Sequence, residues 1–71
     1  ESLTDQIMNE LQAAGGTLPF NDKSTPESIR ERFNTSKKAF KLGIGALYKQ
    51  RQIRITEAGI EKVEPAGTDH Q

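Results

Sequence analysis

Four lysines and two arginines fall within residues 34–56 with no acidic residue among them: Lys37, Lys38, Lys41, Lys49, Arg51 and Arg54. Positive charge at this density, uninterrupted by carboxylates, is suited to one kind of chemistry without further help, the neutralisation of phosphate. The plainer alternative is that the lysines only solvate the outer face of an amphipathic helix, but Lys37 and Lys38 are placed poorly for that. They follow Ser36, a residue suited to cap a helix, and so occupy a first turn that already carries partial positive charge. Each exposed lysine there costs about 0.3–1 kcal/mol. An external anion is the natural compensation, because a helix N-terminus with its free N–H groups is itself a phosphate site.

Other chemistries find little support. His70 is the single histidine and falls in the last residues of the chain, and no Gly-rich phosphate loop or nucleophile–base pair is present. The acids are scattered at helix starts, where capping explains them, and Asp22 and Glu27 read as turn and cap residues. No ligand cluster suggests a metal. The expectation is a binding module without catalytic residues, metal or cofactor.

The elements that must position the basic residues belong to one small domain, since 71 residues with three Phe, one Tyr and no Trp bury only a modest core. The absence of cysteine excludes disulfides and thiolate metal sites. With no apolar run near about 18 residues and no signal peptide, this fits a reducing, cytoplasmic setting with no membrane partner. Glu1 in place of an initiator Met points to a piece of a longer protein. The net charge is zero, but it is segregated: residues 34–56 carry +6, residues 1–33 carry −3 and residues 57–71 carry −3. A neutral chain divided in this way can still present one basic face.

Leu3, Ile7, Met8, Leu11 and Ala14 recur at helical spacing, with Ser2 and Asp5 as a capping pair and Gly15-Gly16 as a stop. "TLPF" (residues 17–20) reads as an edge segment, because Pro19 cannot donate to a ladder. A second helix ends near Phe33 and buries Ile29 and Phe33; its cap is either Ser24 with Glu27 or Thr25 with Pro26. "NTS" is a turn of the length found in helix-turn-helix units. The third helix spans residues 37–50. At about 100° per residue, Phe40, Gly43, Ile44 and Leu47 share its packing face, while Lys38, Gly45 and Lys49 lie opposite. "QIRIT", "EAG" and "IEKV" read as a β-hairpin with Ile53 and Ile55 on one face, Arg54 on the other and Gly59 available for positive φ. Ile60 and Val63 differ in parity, which leaves the register of the second strand open.

This order of elements describes a mainly α winged helix-turn-helix, three helices plus a wing, over residues 1–64, with a frayed tail at 65–71. Ile7, Leu11, Leu18, Ile29, Phe33, Phe40, Ile44, Leu47, Ile53, Ile55 and Ile60 suffice for one core. The outward face of the third helix offers Lys, Leu and Gly rather than the Arg, Asn or Gln that read base edges, so phosphate contact is favoured over sequence readout. Nor does the sequence offer an exposed aromatic ladder for single-strand stacking, Tyr48 on the helix flank being the lone candidate. Gly45, exposed in mid-helix at a cost of about 0.8–1 kcal/mol relative to alanine, suits close approach by a sugar-phosphate strand or another domain. The nucleic-acid candidates are thus Lys37, Lys38, Lys41, Gly45, Lys49, Arg51 and Arg54.

"LPFNDKSTPESIRERFNTSKKAFKLGIGALYKQRQIRI" resembles the C-terminal winged-helix domain of the conserved virulence factor B family, bacterial RNA-binding proteins with several OB-fold domains ahead of it. The resemblance covers residues 18–63. It implies RNA rather than duplex DNA as ligand, OB-fold neighbours in the same chain, and a role in post-transcriptional regulation of virulence. The family pattern falls on Ser36, Lys37, Lys38, Phe40, Lys41, Gly45, Tyr48 and Lys49, and departs from it at Leu42 and Gly43, where relatives tend toward a basic residue and an alanine. Two alternatives stay open: a winged helix that docks on its own OB-fold neighbours without touching nucleic acid, and a fragment of a DNA-binding transcription factor.

Overall fold

Each helix begins at a hydroxyl cap. The computed structural model describes residues 2–63, and within them Ser2 Oγ accepts the Asp5 amide at 3.2 Å to open α1 (Leu3–Ala13). α1 ends at the glycine stop: the Gly16 amide donates to the Leu11 carbonyl at 2.7 Å and the Gly15 amide to Gln12 at 3.3 Å. Gly15 sits at φ 86°, a conformation that strains side-chain-bearing residues. The next two residues form β1 (Thr17–Leu18).

α2 (Pro26–Phe33) is capped by Thr25, whose Oγ1 accepts the Ser28 amide at 3.2 Å, so Thr25 with Pro26 is the cap in use. Ser24 turns the other way and accepts the Asn21 amide at 3.0 Å. Asn34, left-handed at φ 57°, ends α2, and Ser36 opens α3 (Lys37–Lys49) by accepting the Ala39 amide at 3.1 Å. Strands β2 (Ile53–Ile55) and β3 (Ile60–Lys62) complete the chain of elements as the wing.

The sheet has three antiparallel strands in the order β1-β3-β2. The segment expected as an edge is the sheet's edge strand, only two residues long, and the wing's second strand is central. Its register is Ile53↔Lys62, Arg54↔Glu61 and Ile55↔Ile60 on one side, Thr17↔Glu61 and Leu18↔Ile60 on the other. Gly59 makes this closure possible, because a Cβ there would lie 1.9 Å from the Leu18 carbonyl oxygen and its φ is 155°.

Ten residues form one buried cluster: Ile7, Leu11, Leu18, Ile29, Phe33, Phe40, Ile44, Leu47, Ile53 and Ile60. Ile55, expected among them, is 37% exposed. An edge position alone does not expose it, since Ile53 on the same edge strand and Leu18 on the other edge are buried; Ile55 is the last residue of β2, beside residues 56–59 that link the two wing strands. The Phe33 ring joins α2 to α3 through Phe40 at 5.0 Å and reaches Phe20 edge-on at 5.5 Å. Gly43 admits α1: a Cβ there would meet Ile7 Cδ1 at 3.3 Å. Gln6 donates to the free Phe33 carbonyl at the end of α2 at 3.1 Å. The tail expected at 65–71, His70 included, lies outside the described residues. Among those described, no helix is long and apolar enough to cross a membrane.

Candidate nucleic-acid interface

α3 packs through Phe40, Gly43, Ile44 and Leu47, all buried, which fixes what its opposite face presents. Lys38, Lys41 and Lys49 are exposed there, and Lys37 is half-buried at the helix start. Over 13 residues the helix is about 20 Å long at 1.5 Å per residue. Lys38, Lys41, Gly45 and Lys49 run along it at helical spacing, and a shallow cleft at its N-terminal end is lined by Lys37, Lys38, Lys41 and Leu42. No atom beyond the helix's own backbone and chain neighbours lies within 4 Å of where a Gly45 Cβ would be.

The charge around this face is one-sided. α1 and α2 follow the dipole rule, with Asp5 and Glu27 in their first turns, whereas α3 carries no acid there. The two ion pairs among the described residues are Arg32–Glu10 at 2.9 Å and Arg54–Glu61 at 3.6 Å, and neither involves a lysine of α3. Arg32 is a structural cation: it donates to Glu10 Oε1 through Nε and Nη2 at 3.1 and 2.9 Å and lies 5.6 Å from the Phe20 ring centroid.

Arg51 stands just past the end of α3, in the left-handed conformation at φ 62°. Its amide donates to Tyr48 at 3.0 Å and that of Gln52 to Leu47 at 2.9 Å, the closing pattern that ordinarily recruits glycine. Arginine thus holds a backbone position that glycine would occupy with less strain. Arg54 is placed differently from the other candidates. It lies on the sheet rather than the helix, opposite and beside Glu61, so its charge is partly answered within the domain. The structure brings Lys37, Lys38, Lys41, Gly45 and Lys49 together on one helix with Arg51 at its end, and leaves Arg54 apart.

Asn21, absent from the sequence-based candidates, fixes the wing against the helices. It is 5% exposed, and its Nδ2 donates to the Thr56 carbonyl at 2.7 Å and more weakly to Glu57 at 3.4 Å. Its Oδ1 accepts the Lys23 amide at 2.8 Å. That last bond is a local Asx turn of the kind "NDKS" advertises, while the bonds to the wing depend on tertiary structure.

Comparison with known proteins places the chain in a family. The family model described as a CvfB-like winged helix domain matches residues 5–61. Conserved virulence factor B of Staphylococcus saprophyticus is 56% identical over 54 residues, which are 76% of this chain and 18% of that protein. Proteins of the same name from Staphylococcus aureus are 62% identical over 49 residues, 69% of this chain and 16% of theirs. The chain therefore spans less than a fifth of the length of the curated relatives it matches. A crystal structure of a multidomain protein with nucleic acid binding domains from Streptococcus pneumoniae superposes with a TM-score of 0.86 at 35% identity, covering 89% of this chain and 22% of that one.

Proposed function

We propose, from the premise that this chain belongs to the family of CvfB-like winged helix domains, that it is the RNA-binding winged-helix module of a multi-domain bacterial post-transcriptional regulator. It contacts backbone phosphates through Lys37, Lys38, Lys41 and Lys49 on α3 and through Arg51 at the helix end, with Gly45 allowing close approach. Arg54 adds a weaker contact from the wing, since Glu61 shares its charge. The setting is cytoplasmic, and OB-fold domains of the same protein supply the rest of the RNA surface.

The observation that carries this reading is the first turn of α3, where two lysines oppose the helix dipole with no acid in the turn and no ion pair among the described residues. The Streptococcus pneumoniae protein, described as having nucleic acid binding domains, agrees with it. Affinity for a short single-stranded RNA, measured at several salt concentrations, is the test. Log K should fall against log salt by roughly 0.7 per phosphate contacted. A slope near zero, or no binding at low salt, would reject the phosphate reading.

One observation favours a competing reading, in which α3 docks on OB-fold neighbours of the same protein: Leu42, beside these lysines, is 69% exposed. Under docking alone, the isolated chain would bind no RNA at low salt.

A further inference from the structure

We infer that the outward face of α3 is a seat for an unpaired base, with Gly45 as its floor and Tyr48 as its stacking wall, so that the module takes single-stranded rather than duplex RNA. The inference rests on the phosphate reading above and adds to it a ligand class and a base contact.

Tyr48 and Leu42 are the two most exposed large apolar side chains among the described residues, at 56% and 69%. They stand three residues after and three residues before Gly45. At about 100° per residue, this puts one on each side of Gly45 at roughly 60° around the helix, separated by about 9 Å along its axis. Lys41 and Lys49 stand four residues before and after the same glycine. Gly45 is therefore the floor of a shallow saddle with apolar walls on one diagonal and cations on the other. Side chains on a helix lean back toward its N-terminus, so the Tyr48 ring inclines over the turn that contains Gly45.

Packing does not require that floor to be bare. A Cβ at Gly45 would have open space, unlike one at Gly43, and Gly45 is not left-handed. The domain thus forgoes helix stability at the one helical position where the missing methyl group opens a surface outward. A base with a free face fits between apolar walls while its flanking phosphates meet lysines, because every base offers a π-face and stacking asks for no particular sequence. A duplex does not fit this arrangement. Its bases are already stacked, and the A-form major groove is too narrow for side chains to read. The lack of Arg, Asn or Gln on the saddle agrees with stacking in place of edge readout.

Tyr48 is the chain's single tyrosine, so its ring resonances report on this site alone. The chain, Tyr48→Ala and Tyr48→Phe are titrated with a short single-stranded RNA, with the same RNA annealed to its complement, and with a ribose-phosphate oligomer of equal length lacking bases. For the single strand, Tyr48→Ala should bind roughly ten-fold more weakly, and Tyr48→Phe should match the unmodified chain. All three proteins should bind the baseless oligomer equally. The Tyr48 ring protons should shift upfield with the single strand and stay put with the baseless oligomer. If the baseless oligomer binds and Tyr48→Ala holds the single strand as tightly as the unmodified chain does, the base seat is overturned and the phosphate contacts survive. Duplex binding as tight as single-strand binding, with no ring shift, overturns it equally. If neither the single strand nor the baseless oligomer binds at low salt, both readings fall.

Discussion

The Asn21 side-chain amide donates to the Thr56 carbonyl at 2.7 Å, joining the loop before α2 to the turn of the wing across 35 positions of sequence. The same side chain accepts the Lys23 amide at 2.8 Å, so one buried residue sets both the local turn and the distant strand connection. Through Gly59, whose amide donates to Thr56 Oγ1 at 3.1 Å, the arrangement continues to the place where the wing meets β1.

Truncating that amide should therefore loosen the wing. Asn21→Ala removes the 2.7 Å bond to the Thr56 carbonyl, which keeps only the longer one from the Gly59 amide at 3.3 Å, and the acceptor of the Lys23 amide; the cost is about 1–3 kcal/mol to the extent that these groups stay shielded from water. That is a large share of the total stability of a domain this small, which is of the order of 4–10 kcal/mol. Urea unfolding should show a lower midpoint, and hydrogen exchange at Gly59 should accelerate beyond what global destabilisation explains. An unchanged midpoint would mean that water replaces the side chain without loss.

What the sequence made legible here was local. Ser2 and Ser36 cap as expected because a cap needs only residues three positions apart, and Phe40, Ile44 and Leu47 are inside because helical periodicity is a property of a short window. The exposure of Ile55 was not legible, since alternation puts Ile53 and Ile55 on one face but does not say how far along the strand the helices cover that face, and only Ile53 is buried. The Arg54–Glu61 pair depends on the hairpin register, which the differing parity of Ile60 and Val63 left open, and the Asn21–Thr56 bond on which loop lies beside which, a matter of tertiary structure. At the candidate site, the segregation of charge along the chain was enough to point to α3, because six cations without an intervening acid is a property of one contiguous stretch. The left-handed backbone of Arg51 did not announce itself, because the usual marker of that position is a glycine.

Gly45→Ala should stabilise the isolated chain by a few tenths to about 1 kcal/mol, since the backbone there is helical and the added methyl meets nothing. Affinity for single-stranded RNA should fall as the methyl raises the floor between Lys41 and Lys49. Thermal melts and binding isotherms on the same preparation test both halves. Destabilisation would make Gly45 a packing residue and remove its role in approach.

Arg51 allows strain to be separated from charge. Arg51→Ala keeps a Cβ in the left-handed conformation, whereas Arg51→Gly relieves it, so the glycine variant should be the more stable of the two by about 1 kcal/mol. Both remove the same cation. Their RNA affinities should fall together, and each should lower the salt slope by about 0.7, one phosphate's worth. A glycine variant that binds as tightly as the unmodified chain would show that Arg51 touches no phosphate.

The two lysines that open α3 make the sharpest test, because their effects on stability and on binding should have opposite signs. Acids suit the first turn of a helix, so reversing Lys37 and Lys38 to Glu should leave the free chain as stable as before or slightly more stable. If phosphate is what offsets the unfavourable dipole, the same change should sharply reduce affinity for single-stranded RNA. It should also remove about one to two contacts' worth of the salt slope, at roughly 0.7 each. A simple solvated face would show the gain in stability without the loss in binding. A docking face would show no RNA binding by the unmodified chain at low salt, and in the multi-domain protein the reversal would weaken contact between domains instead. Denaturation of the free chain together with RNA titrations at several salt concentrations separates the three, since each assigns the missing counter-charge of Lys37 and Lys38 to a different source.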